Sequence, residues 1–231
     1  WMDLEFEAMK YLGQISPNDE LLGEGSRYDV LVGGGLGSIT GETETVFVVD
    51  SGLDFNHRAF YSAVGSFPIQ DAFDGENTAA STHPKIRAIF HDGNGATVAS
   101  GSHGTAVASC AVGYNNDMGV SGIATGAKLA FMDISQDGSN LNPNVLTPVF
   151  ARIMLEKGLG VGAEIMVHSY GSCPASGRYQ SYSAEMDDFV YDNPYVSNFV
   201  SAGNSAATCT STRGIGDPAT AKNVISVGAS F

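Results

Sequence analysis

The run Val46-Phe47-Val48-Val49 constrains the fold more than any other feature of the chain, because it has no polar side and stops abruptly at Asp50-Ser51-Gly52. A strand without a wet face must be covered on both faces, which a parallel sheet sandwiched by helices provides and a half-solvated antiparallel sheet does not. Further strand candidates follow at Ile86-Arg87-Ala88-Ile89-Phe90, Lys128 to Ile134, Glu164 to His168 and Asn198-Phe199-Val200-Ser201. Between them the sequence predicts helices. One is a small-residue helix running to Val112 and opened by a cap at Ser102. A second starts at Pro143, carries Val145, Leu146, Val149, Ile153 and Met154 on one face, and is stopped by Gly158. The third spans residues 178–192. Strand and helix alternating with short connections predict an α/β fold: three layers, with a mostly parallel central sheet and helices on both faces. A length of 231 residues with 43% hydrophobic side chains suits one such domain. Residues 1–44 read as an irregular lead-in to a domain over 45–231. The glycine run Gly33 to Gly37 reads as a turn, since no Lys-Ser/Thr follows as a phosphate loop requires.

Eleven Lys and Arg against 25 Asp and Glu leave a net charge of −14. That excess opposes nucleic acid and anionic membrane as partners, because both are held by clustered basic side chains. It reads either as a solvated surface or as carboxylates recruited for calcium or a basic partner. No apolar run approaches the roughly 20 residues of a membrane span. Cys110, Cys173 and Cys209 match no zinc spacing; one bridge plus one buried thiol fits an extracellular protein, and three thiols fit a cytosolic one. The sequence opens at Trp1 without a visible secretory leader and closes on a β-branched stretch, Asn223 to Ala229, so part of a longer polypeptide is expected.

In an open parallel sheet, chemistry gathers where strands end. Asp50 ends the most apolar strand, His103 opens the small-residue helix beside Gly104, and Asn204 is reached through Ser201-Ala202-Gly203. Each alone has an ordinary explanation as a turn or helix-end residue.

Their contexts carry more. Val48-Val49-Asp50-Ser51-Gly52-Leu53-Asp54 with His57, Ser102-His103-Gly104-Thr105-Ala106-Val107-Ala108, and Ser201-Ala202-Gly203-Asn204 resemble the catalytic-aspartate, catalytic-histidine and oxyanion-asparagine segments of the subtilisin-like serine peptidases. His168-Ser169-Tyr170-Gly171 resembles the strand of that family that pairs with substrate. Gly119 to Ala124 with Ala127 to Leu129, and Pro218 to Gly228, match further passages in family order. Within the family, Lys128 to Ile134, Gly138 to Leu141 and the stretch from Pro218 resemble the KP-43-like subgroup.

The resemblance implies acyl transfer by a Ser/His/Asp triad. Asp50 would orient His103, His103 would act as base and then acid, and Asn204 would donate to the oxyanion. A polypeptide substrate would lie along Ser169, Tyr170 and Gly171, with Ala202 and Gly203 beside it. No cofactor is required. Asn115 to Val120 resembles the calcium loop of the family, although Ala59 stands where an aspartate would close that site; a plain surface turn is the other reading. The resemblance also implies a Cys173–Cys209 disulfide and a secreted protein.

One member of the triad is missing from its context. Ser205, Ser211, Ser226 and Ser230 follow Asn204, none in a Gly-Thr-Ser-Met-Ala-like setting. The expectation is a serine on a C-terminal segment or a second chain, whose loss uncovers apolar surface near Val48, Val200 and Val227. The alternative is a non-catalytic structural or binding module derived from the same fold; a small-molecule enzyme on a flavodoxin-like fold ranks third.

Overall fold

In a computed structural model describing residues 40–60, 83–91, 102–115, 120–136, 141–172, 179–204 and 215–228, the apolar run becomes β1 (Thr45–Asp50), buried at every residue. β2 (Ile86–His91), a small antiparallel pair of β3 (Tyr114–Asn115) and β4 (Val120–Ser121), β5 (Lys128–Asp133), β6 (Ile165–His168), β7 (Ser197–Ser201) and β8 (Ile225–Val227) follow. Six of these strands form one sheet in the order β2-β5-β1-β6-β7-β8, and every neighbouring pair is parallel. The chain leaves β1 for the edge at β2, returns to β5, then crosses to β6 on the other side of β1. The winding therefore reverses at β1, and the carboxyl end of that strand is where such sheets open a crevice.

Alternation of side chains across β1 explains its double burial. Val46 and Val48 pack with Ala108 and Val112 of α1 (Ser102–Val112), and Phe47 and Val49 pack with residues of α2 (Pro148–Gly160) and α3 (Ser181–Asp192) on the other face. Small residues on α1 let it lie close to the sheet.

The second helix departs from its expected form. Pro143–Leu146 is a separate 3-10 turn, and α2 begins after Thr147, whose hydroxyl accepts from the Phe150 amide at 3.3 Å, with Pro148 at its first position. Val149 and Ile153 are exposed, and Ala151, Met154, Leu155 and Gly158 form the buried stripe. Within α2, Met154 of the expected apolar face lies in the stripe that packs on the sheet, and Val149 and Ile153 lie outside it. Gly158 does not end the helix: a Cβ there would stand 2.6 Å from Phe47 Cδ1, so glycine permits close packing on β1.

Val48 and Val200, expected to lose cover, are completely buried because α1 lies over one face of the sheet and α2 and α3 over the other. β8 is the sheet strand exposed along its whole length, with Ile225 and Val227 each about half accessible.

Candidate active site

Asp50 is the last residue of β1 and His103 lies in the first turn of α1, 53 positions later. The His103 Nδ1 atom stands 2.6 Å from Asp50 Oδ1. The Ser51 amide donates to the same oxygen at 2.6 Å. Asp50 Oδ2 is buried with no partner among the described residues. Burial pushes the Asp50 carboxyl above its ordinary range; the hydrogen bond and charge of His103, then the Ser51 amide and hydroxyl, pull the other way. The two ends of the pair see different surroundings, since the carboxylate is enclosed and the imidazole side chain keeps 35% of its surface accessible. A buried acceptor and a half-open ring form the arrangement that fixes an imidazole tautomer and stabilises the imidazolium.

Backbone contacts hold α1 at this distance. The Gly104 amide donates to Ser51 O at 3.2 Å, and the Thr105 hydroxyl accepts from the Asp54 amide at 2.8 Å. Gly52 turns the chain with a φ of 66°, a conformation suited to glycine.

Other predicted positions cluster at the same end of the sheet. The Ser169 amide reaches Val49 O at 3.4 Å, so the Ser169-Tyr170-Gly171 segment starts beside Asp50. Ser172 and Asp217 pair antiparallel, with the Ser172 amide donating to Asp217 O at 2.8 Å and the Asp217 amide to Ser172 O at 3.1 Å. The Gly216 amide donates to Ala202 O at 3.4 Å, and the Ala202 amide to Val227 O at 2.8 Å. Three segments, 169–172, 201–204 and 215–218, are thus tied together by backbone bonds. Gly203 has a φ of 98°, and Asn204 is exposed just past β7, one strand removed from β1.

Tyr170 is buried, so its ring is withdrawn from the surface of that stretch. Beneath it, His168 Nε2 stands 2.9 Å from Asn198 Oδ1, and the Tyr170 hydroxyl lies 3.5 Å from His168 Nδ1 and bonds to the Tyr182 hydroxyl. Burial pushes His168 down to about 4. The ring is therefore neutral near pH 7, donates from Nε2 to Asn198 and accepts at Nδ1.

Sequence reading passed over Asp133. It ends β5 as Asp50 ends β1, and the two are register partners. A carboxylate closing a strand after the apolar run Leu129 to Met132 was the available signal. Cys173 and Cys209 lie outside the described residues, as do positions 116–119 of the candidate calcium loop. Asn115 is described, and its amide donates to Arg58 O at 2.8 Å. Among the described residues no group of three or more His, Cys, Asp or Glu could hold a metal ion.

The model of the subtilase family, Peptidase_S8, matches residues 41–231. The chain belongs to that family. Two curated relatives from Dictyostelium discoideum, the serine protease/ABC transporter B family proteins tagD and tagB, are each 30% identical over 83% of this chain. The chain spans about a tenth of the length of these curated relatives, 10% of each. Among solved structures, the protease domain of PatA is 22% identical, covers 85% of this chain and 61% of its own, and superposes with a TM-score of 0.56. The prenylagaramide maturation protease PagA gives 0.55 at 21% identity, covering 82% of this chain and 55% of its own. The subtilisin-like protease Apa1 from an Antarctic Pseudoalteromonas gives 0.55 at 17% identity, covering 81% of this chain and 36% of its own. These likenesses establish the subtilisin-like fold. Among the described residues no helix is long and apolar enough to cross a membrane.

Proposed function

We propose that this chain is the Asp- and His-bearing part of a serine endopeptidase that cleaves peptide bonds through a Ser/His/Asp triad. The observation carrying the reading is the 2.6 Å contact between Asp50 and His103 at the point where the sheet reverses its winding. Asp50 holds the proton of His103 on Nδ1, which leaves Nε2 as the atom that takes the proton of an attacking hydroxyl and later delivers it to the leaving amine. The Asn204 amide donates to the oxyanion of the tetrahedral intermediate; such a donor is worth about 3–4 kcal/mol of transition-state stabilisation. An extended polypeptide adds a strand along Ser169-Tyr170-Gly171 and draws affinity from main-chain bonds.

The serine is carried on a further segment or a second chain. Ser226, the described serine among the four that follow Asn204, spends its hydroxyl on Ala219 O at 2.6 Å. The reading extends to secretion, to the KP-43-like subgroup, and to a structural calcium ion in the Asn115–Val120 loop, which a rise in the unfolding temperature on adding calcium would support.

A fluorophosphonate probe tests the reading. It should label a polypeptide that includes the downstream segment, on a serine of that segment, and His103→Ala should abolish the labelling. His103-dependent labelling of the 231-residue chain on one of its own serines would overturn the assignment of the nucleophile, and no labelling of the longer polypeptide would favour a non-catalytic module.

A further inference from the structure

Asp133 is almost wholly buried, at 1% exposure, and its Oδ1 gathers three donors. These are the Gly52 amide at 3.0 Å, the Ser135 amide at 2.8 Å and the Ser135 hydroxyl at 2.6 Å. Two of the three are local to the end of β5. The third reaches 81 residues back along the chain, to the glycine that turns away from Asp50. A backbone bond runs alongside, from the Ile134 amide to Asp50 O at 3.0 Å.

Gly52 is also the floor on which the histidine helix stands. A Cβ on Gly104 would fall 2.9 Å from Ser51 O and 2.7 Å from Phe131 Cζ, and nearer still to Gly52 O, so α1 meets the Ser51-Gly52 turn without slack. A displaced turn must displace Gly104, and His103 with it. A buried amide left without an acceptor is costly, so Asp133 also supplies the reason the turn stays where it is.

We propose that Asp133 is a positioning residue for the Asp50–His103 pair: by accepting from the Gly52 amide it fixes the turn that supports Gly104, and so sets the imidazole at bonding distance from Asp50. The inference deepens the triad reading and rests on it. Its acceptor oxygen does the positioning, and the charge is dispensable, so asparagine can replace it and alanine cannot.

The test is nuclear magnetic resonance on the labelled 231-residue chain, where the Nδ1 proton of protonated His103 in its bond to Asp50 gives a far-downfield signal. In the unsubstituted chain that signal should be present and should vanish with Asp50→Asn; its absence would defeat the pairing itself. Given the signal, a scalar coupling across the hydrogen bond from the Gly52 nitrogen to Asp133 Cγ should be observed, and Asp133→Ala should abolish the downfield proton with Asp133→Asn preserving it. Asp133→Ser, too short to span to Gly52, should behave as alanine does. An unchanged His103 signal in folded Asp133→Ala, or a missing coupling, would overturn the positioning role while leaving the pair intact. Failure of both the alanine and serine variants to fold would also overturn it, making Asp133 a general anchor of the sheet.

Discussion

Gly104 rests on Gly52 with no room between them for a methyl group. Within a helix interior alanine ordinarily outperforms glycine, by about 1 kcal/mol. Here the added Cβ meets three fixed groups, two of them backbone carbonyls, and none is the yielding end of a flexible side chain. Gly104→Ala should therefore reverse the usual sign and destabilise the fold by about 3 kcal/mol, the upper part of the range for overpacking. Urea unfolding of the two proteins reads this directly. A variant as stable as the parent would show that the turn and helix are free to separate.

Asp50→Asn should separate stability from catalysis. Burial raises the Asp50 carboxyl, so the fold disfavours its ionised form, and this penalty grows as pH rises from 3.8 through the raised value. Removing the charge should leave the protein at least as stable at pH 7 and flatten that part of the stability curve. Activity of the completed triad should fall by on the order of 10⁴, as when the aspartate of the serine-protease triad becomes asparagine and the wrong imidazole tautomer results. Denaturant midpoints across pH, set beside turnover of a peptide substrate, check both signs; a large loss of stability at pH 7 would contradict the account.

His168 sets a lower pH limit. The folded protein holds it at about 4 and an unfolded chain at 6.5, so no penalty exists near pH 7, where both are neutral. Below 6.5 the unfolded chain takes up a proton that the folded one refuses. Stability should decline until about pH 4, by about 3.5 kcal/mol in all, because every pH unit separating the folded and unfolded values is worth about 1.4 kcal/mol. His168→Gln should lose stability at pH 7 through imperfect repacking and show a shallower decline over that window. Equal slopes for the two proteins would exclude His168 as the source.

Gly158→Ala tests the contact between α2 and β1. The new methyl would press on Phe47 Cδ1 at 2.6 Å and on Met166 Cε at 3.0 Å. Phe47 is wholly enclosed, so its ring has little space to retreat. The helical gain of alanine should be outweighed, leaving a net loss of about 1–2 kcal/mol. A stabilised variant would mean that the core at Phe47 is looser than the packing shows.

Much of this fold could be read from residue pattern because Val46 to Val49 of β1 are apolar on both faces of the strand, and such a strand has few places to go. Strands β5 and β7 were legible to within a residue: read as Lys128 to Ile134 and Asn198 to Ser201, they run Lys128–Asp133 and Ser197–Ser201. Helix α2 was less so: the eye sets Val149 and Ile153 with the other apolar residues, but the buried stripe runs through Ala151, Met154, Leu155 and Gly158 and leaves both outside. Gly158 misled because glycine ends helices and also admits close neighbours, and only the position of Phe47 tells which applies. Asp50 and His103 were marked by their surroundings in sequence. Asp133 was marked only as a carboxylate closing a strand; its bond to Gly52 was hidden, because no local pattern records a partner that far away.

The central place of β1 bears on how the protein comes into being. Synthesis delivers β1 before either neighbouring strand exists, and the chain must extend to Asp133 before one edge is paired and to His168 before the other is. Parallel pairing across such separations carries a loop-closure cost that antiparallel hairpins avoid, so folding of this domain should be slow for its size. The nascent chain leaves the ribosome with its greasiest strand unpaired, and the interval until the partners arrive is when aggregation or chaperone capture would compete.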